Sequence, residues 1–151
     1  MPASSHRIAD ASARMSPFIN FFMNSTFARE GNRPGACVFV AGDPWEGPPP
    51  GFVESLQRAA VPQHPNWFGY RNYVPEAQAA VAAGLHARTG LAYADQDVLL
   101  TNGAFAGLAT LFLALADPGD EIIFNSPPWF FYEGMIAGSG ALPVRVRVRA
   151  D

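Results

Sequence analysis

Lysine occurs nowhere in this chain. Its ten basic side chains are all arginines, at positions 7, 14, 29, 33, 58, 71, 88, 145, 147 and 149. No side-chain amine is therefore present to form a covalent link to a carbonyl compound. Cysteine occurs once, as Cys37, which excludes an internal disulfide and points to a reducing compartment. Without metal-ligand neighbours, Cys37 is expected to be a small buried hydrophobe. Charge is scarce as well: 15% of residues are charged and the formal net charge is −3. That balance excludes strong affinity for a phosphodiester backbone, so no nucleic-acid partner is expected. The histidines, His6, His64 and His86, are far apart and share no metal-ligand spacing. Long apolar runs are missing too. The longest, Phe105–Ala116, is too short to span a bilayer. The N-terminal MPASSHRIADASARMSP lacks a continuous apolar core and carries Asp10, so it is no secretory signal. These absences together predict a soluble, cytoplasmic protein with no membrane partner.

What is present is a substantial apolar fraction, 49% of 151 residues. A chain of this length buries roughly 68–70% of its unfolded surface, enough for one sizeable core. Residues 1–36 begin polar, turn amphipathic through SPFINFFMNSTFARE, and read as an N-terminal arm or helix. Residues 37–95 read as small-domain elements and interface loops. CVFVAG is a strand candidate stopped by the proline- and glycine-rich GDPWEGPPPG. FVESLQRAA has helical spacing, and VPQHPNWFGYRNYVP is an aromatic loop. PEAQAAVAAGLHART is a helix that opens on Pro75, whose missing N–H costs nothing there, and closes on Gly90.

From residue 96 to 151 the rhythm becomes an alternation of strand and helix. DVLLT and EIIF read as buried strands, NGAFAGLATLFLALA as a helix apolar on nearly every side. ALPVRVRV reads as a third strand with its valines inward and Arg145, Arg147 and Arg149 outward. Apolar strands alternating with helices indicate an α/β fold with a mainly parallel sheet. The sequence stops directly after a strand, and the expectation is that it forms the front part of something longer.

Two constellations bear on chemistry. In LLTNGAFAGL a strand ends, Gly103 permits a tight turn, and an apolar helix begins at once. The first amides of a helix have no intrahelical partner and sit at the positive end of its dipole, so Gly103, Ala104 and Phe105 could cradle a phosphate. The plainer alternative is an ordinary junction capped by Asn102 or Thr101. Neither GxGxxG nor GxxxxGK[ST] occurs, which disfavours a dinucleotide or a nucleoside triphosphate. The second constellation is NSPPWFFYE. If EIIF neighbours DVLLT in the sheet, this loop shares the carboxyl edge with Gly103, where open α/β sheets bind ligands. Trp129, held by Pro127 and Pro128, then offers a flat face to a planar ring; a buried core tryptophan is the alternative.

The stretch LTNGAFAGLATLFLALADPGDEIIFNSPPWFFYE resembles the class I/II aminotransferases, the fold type I pyridoxal phosphate enzymes, in its order of strand, glycine turn, helix, DPGDE and P-x-W-x-x-Y. VFVAGDPWEGPPPGFVESL, PEAQAAVAAGLHARTG and GSGALPVRV resemble further segments of that family, so the likeness runs from about Val38 to the end. It implies that Gly103, Ala104 and Phe105 bind the phosphate of pyridoxal 5'-phosphate through backbone amides, and that Trp129 stacks on the pyridine ring. Gly42 would lie near the substrate carboxylate, with Asp43 and Trp45 as loop residues of no fixed role. The family tyrosine that reaches the partner subunit's cofactor falls on Phe68, so either Tyr70 takes over from a shifted loop or the contact is gone. The resemblance further implies a homodimer acting on an amino acid and a 2-oxo acid, with the arm and the 62–75 loop as interface pieces.

The family's Schiff-base lysine, the aspartate paired to the pyridine nitrogen and the substrate-carboxylate arginine all fall beyond the position matching Asp151. The chain thus carries no catalytic residue of its own, and is not expected to be active alone. The competing reading is a non-catalytic, truncated α/β protein that binds a phosphate or pairs with another subunit.

Overall fold

The computed structural model describes residues 4–40, 42, 44 and 46–149. Its helices are α1 (His6–Asn24), α2 (Thr26–Glu30), α3 (Phe52–Ala60), α4 (Pro75–Thr89), α5 (Gly103–Leu115) and α6 (Tyr132–Ser139), and its strands are β1 (Glu121–Ser126) and β2 (Leu142–Arg147). The chain divides into two compact units, residues 38–100 and the remainder. The fold is α/β, with parallel strands and helices that alternate with them in the C-terminal part.

In the unit built from both chain ends, β1, α6 and β2 form a strand–helix–strand unit. The two strands are parallel, in a register that sets Ile122 opposite Pro143, Phe124 opposite Arg145 and Ser126 opposite Arg147. A helix between parallel strands is the connection that such a pair needs. Phe124, Ile136 and Ala141 are the buried centre, and Phe112, Ala116, Ile122 and Tyr132 pack around them. The arm of the sequence is helical. Ser5 caps α1 by accepting the Ile8 N–H at 3.3 Å, and Ser25 begins α2 by accepting that of Ala28 at 3.3 Å. Helix α1 lies so close on α6 that a Cβ built on Gly134 would stand 2.6 Å from Met15 Cγ.

Five expectations are corrected. Asp97–Thr101 forms no strand. Residues 95–97 make a 3₁₀ turn in which the Asp97 carboxylate accepts the Ala94 N–H at 2.8 Å. The Val98 carbonyl, which a ladder would use, accepts from the Gln78 side-chain amide at 2.6 Å. Cys37–Gly42 forms no strand either among its described residues: Phe39 is 93% exposed, and Cys37 is exposed rather than buried. Helix α5 has no buried residue, because it meets only α6 and, through Phe112, the small core of a two-stranded sheet, which leaves Leu111, Leu113 and Leu115 outside. For the same reason Val146 and Val148 of the last strand region are exposed along with the arginines.

In the unit of residues 38–100, α3 and α4 occupy the expected positions. Pro75 opens α4, and Gly90 ends it at φ +72°, its N–H donating to the His86 carbonyl at 2.8 Å. The aromatic loop folds back on the end of α3. The Trp67 indole N–H donates to the Ala59 carbonyl at 2.8 Å, and the Arg71 guanidinium lies 5.8 Å from the Trp67 ring centroid.

Candidate functional site

The amino end of α5 is built by Thr101 and Gly103. Gly103 has φ +79°, a conformation that glycine adopts without strain, and a Cβ placed there would meet nothing within 4 Å. Its N–H donates to the Thr101 carbonyl at 2.8 Å, while the Thr101 hydroxyl donates back to the Gly103 carbonyl at 3.0 Å. This pair closes the turn without capping the helix. Asn102, at the cap position, makes no side-chain hydrogen bond to the helix. The plain junction capped by Asn102 or Thr101 is thus not what forms, and no capping side chain takes the amides of Ala104 and Phe105.

Trp129 stands beside this helix start. Its ring centroid is 5.9 Å from that of Phe105, 5.1 Å from Phe131 and 5.5 Å from Tyr132, with interplanar angles of 81°, 72° and 84°. No aromatic ring among the described residues lies parallel on the indole, and Trp129 keeps 36% of its surface exposed, so it is no core tryptophan. It borders a cavity of about 510 Å³ at the carboxyl end of β1, lined also by Asn125, Pro127, Pro128 and Tyr132. Although Asp97–Thr101 is not a strand, the two constellations meet, through Phe105 and Trp129.

Gly42 belongs to the other unit, where a Cβ on it would meet nothing within 4 Å. Asp43 and Trp45 lie outside the described residues. Phe68 and Tyr70 both face solvent, Tyr70 completely. Among the described residues no cluster of metal-ligating side chains forms, and no helix is long and apolar enough to cross a membrane.

One feature had no signal in the sequence. Arg145, read there as one of an outward row, is bidentate to Glu133: Nε to Oε1 at 2.6 Å and a terminal nitrogen to Oε2 at 2.8 Å. The hydrogen bond from Arg145 is the main cause that holds the Glu133 carboxyl below its ordinary value, against the opposing effect of burial. The same bond raises Arg145. Nothing in a spacing of twelve residues between a helix start and a strand marks such a pair.

The family profile of aminotransferase class I and II matches residues 38–151. The chain belongs to that aminotransferase family. It is 32% identical over 109 residues to the aspartate/prephenate aminotransferase of Thermus thermophilus, covering 72% of this chain and 28% of that protein. It is 34% identical over 110 residues to the aspartate aminotransferase of Streptomyces avermitilis, covering 72% of this chain and 26% of that one. The alanine aminotransferase structure from Pyrococcus furiosus superposes with a TM-score of 0.74 at 28% identity, over 96% of this chain and 36% of that chain. The chain therefore spans little more than a quarter of the length of these two curated relatives. Aminotransferases of this family generally depend on pyridoxal phosphate, as the resemblance in the sequence implies.

Proposed function

We propose that this chain supplies the cofactor seat of a pyridoxal phosphate-dependent aminotransferase that moves an amino group between an amino acid and a 2-oxo acid. The observation that carries the reading is the edge-on contact of Trp129 with Phe105 at the uncapped start of α5. The residues fit the group. Open space at Gly103 admits a phosphate to the backbone, and the uncapped amides sit at the positive end of a helix. The exposed indole offers a face to a pyridine ring.

In this reading the free amides of Ala104 and Phe105 hold the phosphate, Gly103, whose own N–H is taken by the Thr101 carbonyl, keeps the approach open, and Trp129 orients the ring. Pro127 and Pro128 wall the cavity and exclude water. Gly42, in the other unit, is the residue that the family pattern assigns to the substrate carboxylate. When bound, the cofactor supplies an electron sink for the α-carbon of an amino acid. No residue of this sequence supplies the amine that would tether it or carry the proton, since lysine is absent. In this reading that amine, the aspartate for the ring nitrogen and the arginine for the substrate carboxylate have to be supplied by residues other than these 151. The functional unit is a homodimer, and aspartate, named in the relatives above, is the first amino donor to assay.

The test is ligand binding by the 151-residue chain with Trp45 and Trp67 replaced by phenylalanine, leaving Trp129 as sole reporter. Pyridoxine 5'-phosphate is the probe, because it lacks the aldehyde that would react with the chain's terminal amine. Saturable quenching of Trp129, weaker with unphosphorylated pyridoxine, is expected. Absence of saturable quenching would sink the reading. A second reading, a phosphate-binding or subunit-pairing protein without catalysis, is favoured by the missing lysine. It predicts phosphate binding with no preference for the pyridine ring.

A further inference from the structure

We infer that Arg145 is a positioning residue for Trp129, acting through Glu133 at the first turn of α6. This deepens the cofactor-seat reading and rests on it. Trp129 lies three residues ahead of α6, in a turn closed by the Tyr132 N–H donating to the Trp129 carbonyl at 3.1 Å. Wherever the first turn of α6 goes, the indole follows. That helix has eight residues, three of them glycine or alanine at Gly134, Ala137 and Gly138, and Ile136 is its only side chain fully removed from solvent. So short a helix with so few large side chains has little of its own to fix its start.

Besides the packing of α1 on Gly134 and Phe131, two adjacent residues tie that start down, and both reach the same rung of the sheet. Phe124 of β1 pairs in register with Arg145 of β2. Tyr132 rests on Phe124, ring centroids 5.9 Å apart, and Glu133 is held by Arg145 through two hydrogen bonds. The pair lies at the surface, with the Arg145 side chain 54% and the Glu133 side chain 20% exposed, but its geometry is bidentate, and a carboxylate in a helix's first turn also faces the positive end of its dipole. Arg14, on α1, adds a weaker attraction to the same carboxylate. Neither Arg147 nor Arg149 has a carboxylate within salt-bridge distance among the described residues, so Arg145 alone of the row does this.

The experiment compares Arg145→Met, Arg145→Lys and Glu133→Gln in the chain whose only tryptophan is Trp129. The readouts are the near-ultraviolet circular dichroism of that indole and the dissociation constants of pyridoxine 5'-phosphate and of inorganic phosphate. Far-ultraviolet dichroism checks that the fold persists. Arg145→Met should remove at least half of the indole signal and weaken pyridoxine 5'-phosphate by about 3- to 10-fold, the loss expected when one aromatic contact is misaligned. Inorganic phosphate, held by α5, should change less than about twofold. Arg145→Lys, a point charge without the fork, should recover only part of the signal. An unchanged indole signal in Arg145→Met overturns the inference, as does an equal loss for both ligands. Should Arg145→Met fail to fold, Glu133→Gln keeps the shape and decides in the same way. If pyridoxine 5'-phosphate does not bind even the parent chain, the cofactor-seat reading fails, while the indole signal still decides the positioning role.

Discussion

Phe18 of α1 lies flat on Phe130 of the proline-rich loop, ring centroids 4.0 Å apart and planes 15° from parallel. The same ring is 5.2 Å from Phe131 and 4.7 Å from Phe22. The arm is thus anchored to its own unit beside the residues that flank Trp129. Phe18 is half-buried, so Phe18→Ala should cost about 1–3 kcal/mol, less than a fully buried phenylalanine. Urea unfolding checks this; a shift below about 0.5 kcal/mol, within the usual surface range, would mean that the stack contributes nothing.

Gly103→Ala isolates the cost of backbone conformation. No atom stands within 4 Å of the new methyl group, so the penalty arises only from the positive φ and should be about 1–2 kcal/mol. Phosphate affinity should fall with it. Thermal unfolding and phosphate titration of the same variant test both, and an unchanged melting temperature would contradict the left-handed turn.

Two helix glycines should respond oppositely to alanine. At Gly84 in α4 nothing lies within 4 Å, and the gain in helix propensity should stabilise by about 0.5–1 kcal/mol. At Gly107 the new Cβ would stand 3.0 Å from Thr101 Oγ1, the hydroxyl that closes the turn, so most or all of that gain should disappear. Equal stabilisation by both would show that Thr101 moves aside freely.

Glu133 makes stability depend on acid. Its carboxyl is held lower in the folded chain than the ordinary value of 4.5, chiefly by the hydrogen bond from Arg145. The stabilisation is therefore complete above that ordinary value and is lost as pH falls through the lowered folded value. The gap in melting temperature between the parent chain and Glu133→Gln should be widest near neutrality and narrow as pH falls below the ordinary carboxyl value. A gap independent of pH would assign the loss to something other than the charge.

Much of the fold was legible because its signals are local. Pro75 and Gly90 bound α4 as residues with those backbone preferences must, and DPGDEIIF announced a turn and β1. The failures share one cause, that strand and burial depend on partners that a sequence does not display. Val98 looked like a ladder residue, but Gln78 holds its carbonyl. Leu111, Leu113 and Leu115 looked buried, and two strands are too few to cover them. At the site, Gly103 and Trp129 were conspicuous by residue type and place in the chain. Arg145 was not, because its partner lies on another element and only the fold brings them together.

The register of β1 against β2 gives that ion pair a second consequence. Side chains alternate across a strand, so sliding β2 by one residue would turn Arg145 to the opposite face and present Val144 or Val146 to Glu133. The slipped sheet would keep its backbone bonds but strand a carboxylate against a valine. The pair therefore favours the native register of β2 over a one-residue slip.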